Sequence, residues 1–371
     1  MNRRLLAWLE TRFNLTEMFS LLTSFGLFPA ELDTRRPVKE AVGEALRAPL
    51  PSYARWPRVL GILSFILFAF VGLTGALLAF YYQPTASEAF GSVTTLVRDV
   101  SFGWFVHQTH RWGAELLLWI LLVRLWRFYF QGLYKPPREA IWIVAVLAFL
   151  VATHADLTGR LLVWDARGYW TTVRAVELLF ILPGLGPLFA ALIGGPDIDS
   201  LVLTRFYVLH AAVLPAVLLF LFYLHFSSVR RVGLSTVAGE ARSGRGAYKV
   251  YLYNLLILTV VIFGGLITLV TLLPEPFGVP ADPFSTLPGA RAPWYLLAAH
   301  GLVESIPAIV PRWLRGLSIE AILAISIFLP FIDRSPGRAA RDRRRAIAAG
   351  AAVVLLWIVF TWIGYRLEAV R

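Results

Sequence analysis

Long apolar runs, separated by charged connections, dominate the sequence. A helix needs about 20 apolar residues to cross the hydrocarbon core of a bilayer. Seven runs meet or approach this length, so the pattern predicts an all-α, polytopic membrane bundle of about seven transmembrane helices. The predicted spans are residues 60–81, 104–130, 140–158, 206–227, 250–273, 317–332 and 346–365. The sixth run is short unless its helix begins near Trp313.

A polar linker rich in Gly, Ser and Arg divides these spans into a group of four and a group of three. The predicted parts are a cytoplasmic or interfacial segment at 1–56, a four-span part at 57–232, the linker at 233–249 and a three-span part at 250–371. The first residues are predicted to form an amphipathic helix at the membrane surface. The chain is therefore expected to contain two membrane-embedded parts.

Basic residues determine the predicted orientation in the membrane. The connections after the second, fourth and sixth spans are rich in Lys and Arg, and such loops remain in the cytoplasm. The connection at 160–205 is an exception, with four arginines. On balance the sequence predicts a multi-pass protein of the bacterial inner membrane, with a cytoplasmic N-terminus and a periplasmic C-terminus.

The composition narrows the chemistry. Apolar residues make up 58% of the sequence and charged residues only 16%, which is typical of membrane proteins. The net charge of +12 belongs to the loops of such a protein and does not indicate nucleic acid as a partner. The absence of cysteine excludes disulfides, iron–sulfur clusters bound by this chain and thioether-attached haem. A redox metal held by a side chain therefore has to be held by histidine.

Two of the six histidines are spaced for metal binding. His110 and His210 lie early in the second and fourth spans, which run in the same direction, so both are predicted at the same depth. Two imidazoles in this arrangement can bind one haem iron from opposite faces. His225 follows fifteen residues later, about 22 Å along a helix, and is a candidate ligand of a second haem. His154 fits neither site, and we expect it to be packed and hydrogen-bonded.

Glycines in the first and third spans fit a flat cofactor. Gly61 and Gly75 are fourteen residues apart and therefore lie on one face of a helix, and Gly159 ends the third span. A macrocycle can approach a helix backbone only where side chains are absent. The alternative is ordinary packing of helices through small residues. The nearby histidine pair favours the cofactor slot.

Several segments resemble the cytochrome b family of Rieske/cytochrome b quinol reductase complexes. The matching segments are Leu-Thr-Gly-Ala at 73–76, His-Arg-Trp-Gly-Ala at 110–114, Lys-Pro-Pro-Arg-Glu at 135–139, Leu-Thr-Arg-Phe-Tyr-Val-Leu-His at 203–210, Pro-Ala-Asp-Pro-Phe at 280–284 and Pro-Trp-Tyr at 293–295. The seven spans and the fifteen-residue histidine spacing are similar to the chloroplast type, in which a four-helix cytochrome subunit and a three-helix subunit are separate chains. Here the resemblance implies that the haem-binding four-helix bundle and the three-helix part are fused.

The resemblance also implies cofactors, substrates and partners. It implies two b-type haems, quinol oxidation on the periplasmic side and quinone reduction on the cytoplasmic side. The residues implied near the haems are Gly61, Gly75, His107, Arg127, Gly159 and Arg205, and those implied at the quinol site are Trp164, Tyr169, Trp294 and Tyr295. The implied partners are a Rieske iron–sulfur protein or a c-type cytochrome in a homodimer or larger complex, which can include a second cytochrome b.

Four positions depart from the family pattern. Arg124 stands where the second haem has a histidine ligand, and a protonated guanidinium has no lone pair for iron. Ala145 replaces a glycine of the same slot, Pro293 replaces the glutamate of the quinol-oxidation motif, and Asn254 replaces an aspartate. The second haem can therefore be five-coordinate, hold another ligand or be absent. Arg124 either reaches the membrane interface or fills the altered site.

Three functions are left open by the sequence. The first is a redox subunit with haem b and quinone chemistry in a Rieske/cytochrome b type complex. The second is a divergent, single-haem cytochrome b that relays electrons between the quinone pool and periplasmic proteins. The third is a structural or assembly paralogue without catalysis, which the intact His110/His210 pair disfavours. Pro293 leaves enzymatic quinol oxidation undecided, while His300 and Glu304 offer either a substitute proton path or ordinary interfacial positions.

Overall fold

The computed structural model describes residues 35–47, 49–51, 56–195, 197–232, 245–335 and 337–368. Helices account for almost all regular structure in these residues, which confirms the predicted all-α class. Two three-residue strands form a short antiparallel ladder, with Pro49 opposite Ala247. The amphipathic helix predicted for the first residues lies outside the described part of the chain.

The elements follow the chain in a simple order. They are α1 (Val38–Arg47), β1 (Pro49–Pro51), α2 (Trp56–Ala79), α3 (Ala89–Asp99), α4 (Gly103–Phe130), α5 (Glu139–Leu162), α6 (Ala166–Phe180), α7 (Gly186–Ile193), α8 (Ser200–Val208), a π-helical turn (Leu209–Val213), α9 (Leu214–Val232), β2 (Arg245–Ala247), α10 (Tyr248–Leu272), α11 (Trp294–Ser305), α12 (Arg312–Ile332), a 3₁₀ turn (Ala340–Arg343) and α13 (Arg344–Glu368).

Six of the described helices are long and apolar enough to cross a membrane. They are α2, α5, the continuous α8–α9 helix, α10, α12 and α13. The predicted second span is α4, which has 28 residues but carries Arg111, Glu115, Arg124 and Arg127. It nevertheless packs against α2, α5 and α10, and its charged side chains find partners inside the bundle. The predicted sixth span begins at Arg312, so it reaches full length.

Four helices share the central apolar core. Leu67 of α2, Leu118 of α4, Ala152 of α5 and Phe222 of α9 all lie in one buried cluster. Lipid tails are as apolar as these side chains, so the hydrophobic effect does not favour contact between the helices. Close van der Waals packing of the buried side chains holds the helices together instead. The end of the bundle near His110 is called the His110 side, and the opposite end is called the Arg124 side.

The π-helical turn places His210 within an otherwise regular helix. Pro215 follows this turn and has no N–H to donate to the carbonyl four residues earlier, so the regular hydrogen-bond pattern is interrupted there. Single π turns widen a helix locally and frequently occur at functional sites. The turn therefore sets how His210 projects into the bundle.

A clamp on the Arg124 side joins the α4–α5 connection to the α12–α13 connection. Lys135 lies 3.1 Å from Asp333, and the Tyr134 hydroxyl donates to the same carboxylate. Arg343 donates to the Tyr134 hydroxyl at 2.7 Å. Burial alone would raise the pKa of Asp333, but hydrogen bonds from Ser335 and Tyr134 hold it well below its usual range. The carboxylate thus remains charged and links the two parts of the chain.

The connection between α10 and α11 is fixed over the His110 side. The Gln108 amide donates to the Glu275 carbonyl at 2.9 Å and accepts from the Glu275 N–H at 3.0 Å. Asp165 accepts from the N–H groups of Gly168 at 2.7 Å and Gly278 at 3.2 Å. The bonds to Gln108 hold Glu275 beside the N-terminal part of α4.

Helix α11 packs directly on α13 through glycine. A Cβ atom at Gly301 would lie 2.0 Å from the Phe360 carbonyl oxygen, and one at Gly364 would lie 2.2 Å from the Leu297 carbonyl oxygen. Small residues allow helix backbones to approach closely in this way. This contact positions the start of α11, where Trp294 and Tyr295 stand.

We expect Gly301→Ala to destabilise the protein by about 1–3 kcal/mol, because the added methyl group forces α11 away from α13. The matched control is Gly265→Ala on α10, where an added Cβ meets no atom within 4 Å. Thermal unfolding in detergent should show a lower midpoint for the first variant and an unchanged or higher one for the second. Equal midpoints would contradict the tight packing.

Candidate functional site

His110 on α4 and His210 on the π-helical turn face each other inside the bundle. Their ring centroids are 6.0 Å apart and their ring planes are inclined at 75°. A metal ion bound by two imidazoles holds the ring centroids about 6 Å apart, because each metal–nitrogen bond is about 2 Å long. The two side chains therefore stand at the separation that one shared iron requires.

Backbone carbonyls on neighbouring helices hold both rings. His110 Nδ1 lies 3.0 Å from the Val71 oxygen on α2, and His210 Nδ1 lies 2.8 Å from the Ala155 oxygen on α5. A carbonyl oxygen can only accept, so we assign the proton of each ring to Nδ1. Each neutral ring then keeps the lone pair of Nε2 for a metal.

The two supporting helices use the same residue spacing. The sets are Val71, Thr74 and Gly75 on α2, and Ala155, Thr158 and Gly159 on α5. A Cβ atom at Gly75 would lie 2.8 Å from His110 Cε1. One at Gly159 would lie 2.5 Å from His210 Cε1. Both glycines therefore make room for a histidine ring. Their spacing in the sequence instead predicted that they make room for the flat cofactor itself.

Gly61 is in a different environment from these two glycines. A Cβ atom there would meet Arg124 Nη2 and Phe226 at 3.8 Å, which is ordinary van der Waals contact. Gly61 and Gly75, which were predicted to lie on one helix face, therefore have different neighbours. Of these two, only Gly75 faces an imidazole at close range.

The histidine pair projects into a cavity of about 350 Å³ that extends from the bundle centre to the His110 side. This volume lies in the range of cofactor pockets. The inner wall is apolar and includes Phe68 and Leu118, while Arg167 and Glu275 line the wall near the surface. An apolar slot with two available Nε2 atoms fits a planar b-type haem.

Three other predicted cofactor residues have separate positions. His107 lines the cavity and packs on Phe277, with ring centroids 5.3 Å apart. Arg205 donates to the Ile193 carbonyl at 2.6 Å, away from the cavity wall. Arg127 lies over the Phe128 ring on the Arg124 side. Of the three, the structure brings only His107 to the histidine pair.

Arg124 fills the place where the resemblance puts a second haem ligand. Its Nη2 atom lies 2.8 Å from His225 Nε2, and its Nη1 atom donates to the Ser64 hydroxyl at 2.8 Å. Both Arg124 and His225 are 5% exposed. The nitrogen of His225 that iron would need therefore accepts a hydrogen bond from a guanidinium.

Aromatic side chains pack around this arginine. Phe226 lies beside His225, with ring centroids 5.6 Å apart, and also contacts Phe65 and Phe222. Ala145 on the facing helix is buried as well. The region between Gly61 and His225 is thus occupied by side chains.

A network of four buried or partly buried charged side chains on α4 and α5 was not predicted from the sequence. Arg111 lies 3.0 Å from Glu115 and 3.4 Å from Asp156. Arg160 lies 2.5 Å from Glu115 and 2.6 Å from Asp156. We call these four residues the charge quartet. The sequence indicates this network only through two pairs of opposite charge four residues apart, Arg111/Glu115 and Asp156/Arg160. Residue spacing cannot show that the two pairs contact each other.

The predicted quinol-site residues fall into two groups. Trp294 Nε1 donates to Glu115 at 2.8 Å and the Tyr295 hydroxyl donates to Asp156 at 2.8 Å, so both belong to the surroundings of the charge quartet. Trp164 and Tyr169 pack in another apolar cluster, with ring centroids 5.7 Å apart. Sequence similarity could suggest all four residues as quinol-site candidates. Only the fold shows that they lie in two different groups.

Two remaining histidines lie outside the cavity wall. His154 Nδ1 lies 2.7 Å from the Leu150 carbonyl and its ring stacks on Phe189, as a packed hydrogen-bonded side chain does. His300 lines a small pocket with Arg174 and Glu304. Burial lowers the pKa of His300 to about 4, so its ring is neutral at physiological pH.

Comparison with protein families covers both parts of the chain. The family described as Cytochrome b/b6/petB matches residues 47–233. The family described as Cytochrome b(C-terminal)/b6/petD matches residues 280–369. The two matches lie in one chain, as the sequence motifs predict.

Individual relatives agree with this assignment. A cytochrome b6 of Prochlorococcus marinus is 36% identical over 177 residues, which cover 47% of this chain and 81% of the relative. A cytochrome bc complex cytochrome b subunit of Chlorobaculum thiosulfatiphilum is 31% identical over 286 residues, which cover 74% of this chain and 65% of that protein.

A solved structure extends the similarity to the fold. A chain of a hyperthermophilic respiratory Complex III superposes with a TM-score of 0.74 and 25% sequence identity, covering 91% of this chain and 95% of that chain. The helical bundle, the facing histidines and the two family matches lead to one conclusion. The chain belongs to the cytochrome b family.

Proposed function

We propose that this chain is the electron-transferring cytochrome b subunit of a bc-type complex and that it binds one b-type haem between His110 and His210. The observation that carries the proposal is the histidine pair, whose ring centroids are 6.0 Å apart in an apolar cavity. Both Nδ1 atoms are engaged by backbone carbonyls, which leaves both Nε2 atoms for iron.

A bound haem would supply one-electron chemistry through its iron. The chain fixes the orientation of both imidazoles through the Val71 and Ala155 carbonyls, and hydrogen bonds of this kind make Nε2 a stronger donor. The apolar wall excludes water and thereby contributes to the reduction potential. His107 lines the cavity wall, where it would contact the cofactor.

The contacts of Arg124 support a single haem. A second haem on the Arg124 side would need His225 Nε2, which accepts from Arg124, and space that Arg124 and Phe226 occupy beside Gly61. Reversing this arrangement would require a buried guanidinium to find new hydrogen-bond partners, at substantial cost. We therefore favour a divergent, single-haem relay over a protein that conducts electrons between two haems.

The relay would connect membrane quinone with redox proteins outside the membrane. We propose a Rieske iron–sulfur protein or a c-type cytochrome as partner, within a dimer or larger complex. We also propose the bacterial inner membrane as location, with the His110 side periplasmic, because the Arg124 side carries the more basic connections. Residues 57–232 would form the haem-binding part and residues 250–371 the second part.

Purified protein should contain one haem per chain by the pyridine haemochrome assay. His110→Ala and His210→Ala should each lose the low-spin haem, because a single remaining imidazole cannot form a six-coordinate, low-spin site. His225→Ala is the matched control and should keep one haem. Two haems in the unaltered protein would contradict the single-haem relay, and no haem would favour a non-catalytic structural paralogue.

Gly75→Ala and Gly159→Ala should each reduce haem content severalfold, because the added methyl group lies within 3 Å of a ligand ring. Gly61→Ala is the matched control and should bind haem normally, since its Cβ meets no atom closer than 3.8 Å. The measurement is the haem-to-protein ratio of each of the three variants, compared with that of the unaltered protein. Loss of haem in Gly61→Ala alone would contradict the proposed site.

Arg124→His should leave the haem content at one per chain, although it restores a histidine opposite His225. Phe226 and Ala145 still occupy the slot, and a ligand pair without space cannot hold a macrocycle. A redox titration of the α-band should show one component. A second redox component would contradict this prediction and would mean that the second haem site lacks only its histidine ligand.

A further inference from the structure

The charge quartet is a closed arrangement of two acids and two bases inside the bundle. Each of the two arginines contacts both carboxylates, at distances from 2.5 to 3.4 Å. The Asp156 side chain is 4% exposed and that of Glu115 is 15% exposed. Ionisable residues at such depth are costly and commonly belong to ion or proton paths.

The quartet borders the cavity of the histidine pair. Arg111, Asp156 and Arg160 all line the cavity wall. Asp156 directly follows Ala155, whose carbonyl oxygen contacts His210, and Arg111 directly follows His110. A change of charge at the cofactor would therefore act directly on these residues, because charges are screened weakly among buried groups.

A chain of polar contacts leads from the quartet to the surface. Arg111 Nε lies 2.8 Å from Glu275, whose side chain is 32% exposed. Glu275 in turn lies 3.5 Å from Arg167, which is 55% exposed. Asp156 and Glu275 also line the same cavity, which reaches the surface on the His110 side, so a proton can approach Asp156 from that side along the cavity wall.

Tyr295 completes the surroundings of Asp156 on the inner side. Burial raises the pKa of Tyr295 and the Asp156 carboxylate raises it further, so the phenol keeps its proton and donates to Asp156. The charged and titratable groups that face Asp156 are Arg111 and Glu115 on α4, Arg160 on α5, His210 on the π-helical turn, Tyr295 on α11 and Glu275 in the α10–α11 connection.

We propose that Asp156 is a redox-linked proton site, which takes up one proton when the haem of the proposed function gains an electron and releases it when the electron leaves. The added electron places a negative charge beside a quartet whose two acids and two bases are balanced. Protonation of one carboxylate restores the local balance.

The step conserves charge and atoms. A one-electron donor, such as a mediator in a titration, would supply the electron to the bound haem and would itself be oxidised by one electron. One proton would come from water on the His110 side and would convert the Asp156 carboxylate to the neutral acid. The salt bridges to Arg111 and Arg160 then shift toward Glu115, which keeps both guanidiniums paired.

The linkage fixes the direction of the pH dependence. The reduced protein holds more protons than the oxidised protein, so the midpoint potential should fall as the pH rises. In its steepest part the slope should approach one proton per electron. Spectroelectrochemical titration of the purified protein at a series of pH values measures this slope.

Asp156→Asn should flatten the slope, because the amide cannot take up the proton. Asp333→Asn is the matched control: it removes a carboxylate from the ion pair with Lys135 on the Arg124 side and should leave the slope unchanged. A slope that persists in Asp156→Asn, or a midpoint potential independent of pH in the unaltered protein, would overturn the proposal.

Infrared spectroscopy tests the same site without a substitution. The reduced-minus-oxidised difference spectrum should contain a carboxylic acid C=O band that shifts when aspartate is labelled with ¹³C at its carboxyl carbon. Absence of a labelled band would overturn the proposal even if Asp156→Asn fails to fold. The inference rests on the proposed function, yet the two can fail separately: absence of haem refutes both, whereas a haem with a pH-independent potential refutes only the proton site.

Discussion

The hydrogen bond from each of the two facing histidines to a helix carbonyl is the interaction on which the arrangement of the candidate site depends. It fixes the ring orientation and the tautomer of His110 and His210, and it is possible only because Gly75 and Gly159 let the rings approach α2 and α5. The same three-residue arrangement on two helices produces two rings that face each other. Packing of the four-helix core then holds these helices at the required separation.

The Arg124 side contains an arginine at the position where the family resemblance implies a second haem ligand. His225 remains in place, but its Nε2 accepts from Arg124, and phenylalanine side chains complete the packing. A buried cation with Ser64 and His225 as partners is more stable than an empty slot, because its hydrogen-bonding groups are satisfied. One family framework thus presents an open cofactor cavity at one end and a filled core at the other.

Two buried or partly buried acids and two partly buried arginines form the charge quartet on the His110 side. The charge quartet links α4 and α5, and through Trp294 and Tyr295 it also holds the start of α11. It stands beside the aromatic residues of a motif in which Pro293 replaces an acid. The acids that accept hydrogen bonds from Trp294 and Tyr295 therefore come from helices of the first part of the chain, and not from the motif itself.

Hydrophobic pattern and residue spacing were enough to predict the membrane bundle, its long helices and the two facing histidines. Long apolar runs cannot remain in water, and residues at equal depth in parallel helices, such as His110 and His210, have to lie at one level. The same pattern could not show that Arg124 binds His225, that Arg205 turns to Ile193, or that Trp164 and Tyr169 pack apart from Trp294 and Tyr295. These outcomes depend on how each helix is rotated about its axis and on the course of the connections. They emerge only in the folded bundle, because side chains on different helices become neighbours when packing sets those rotations.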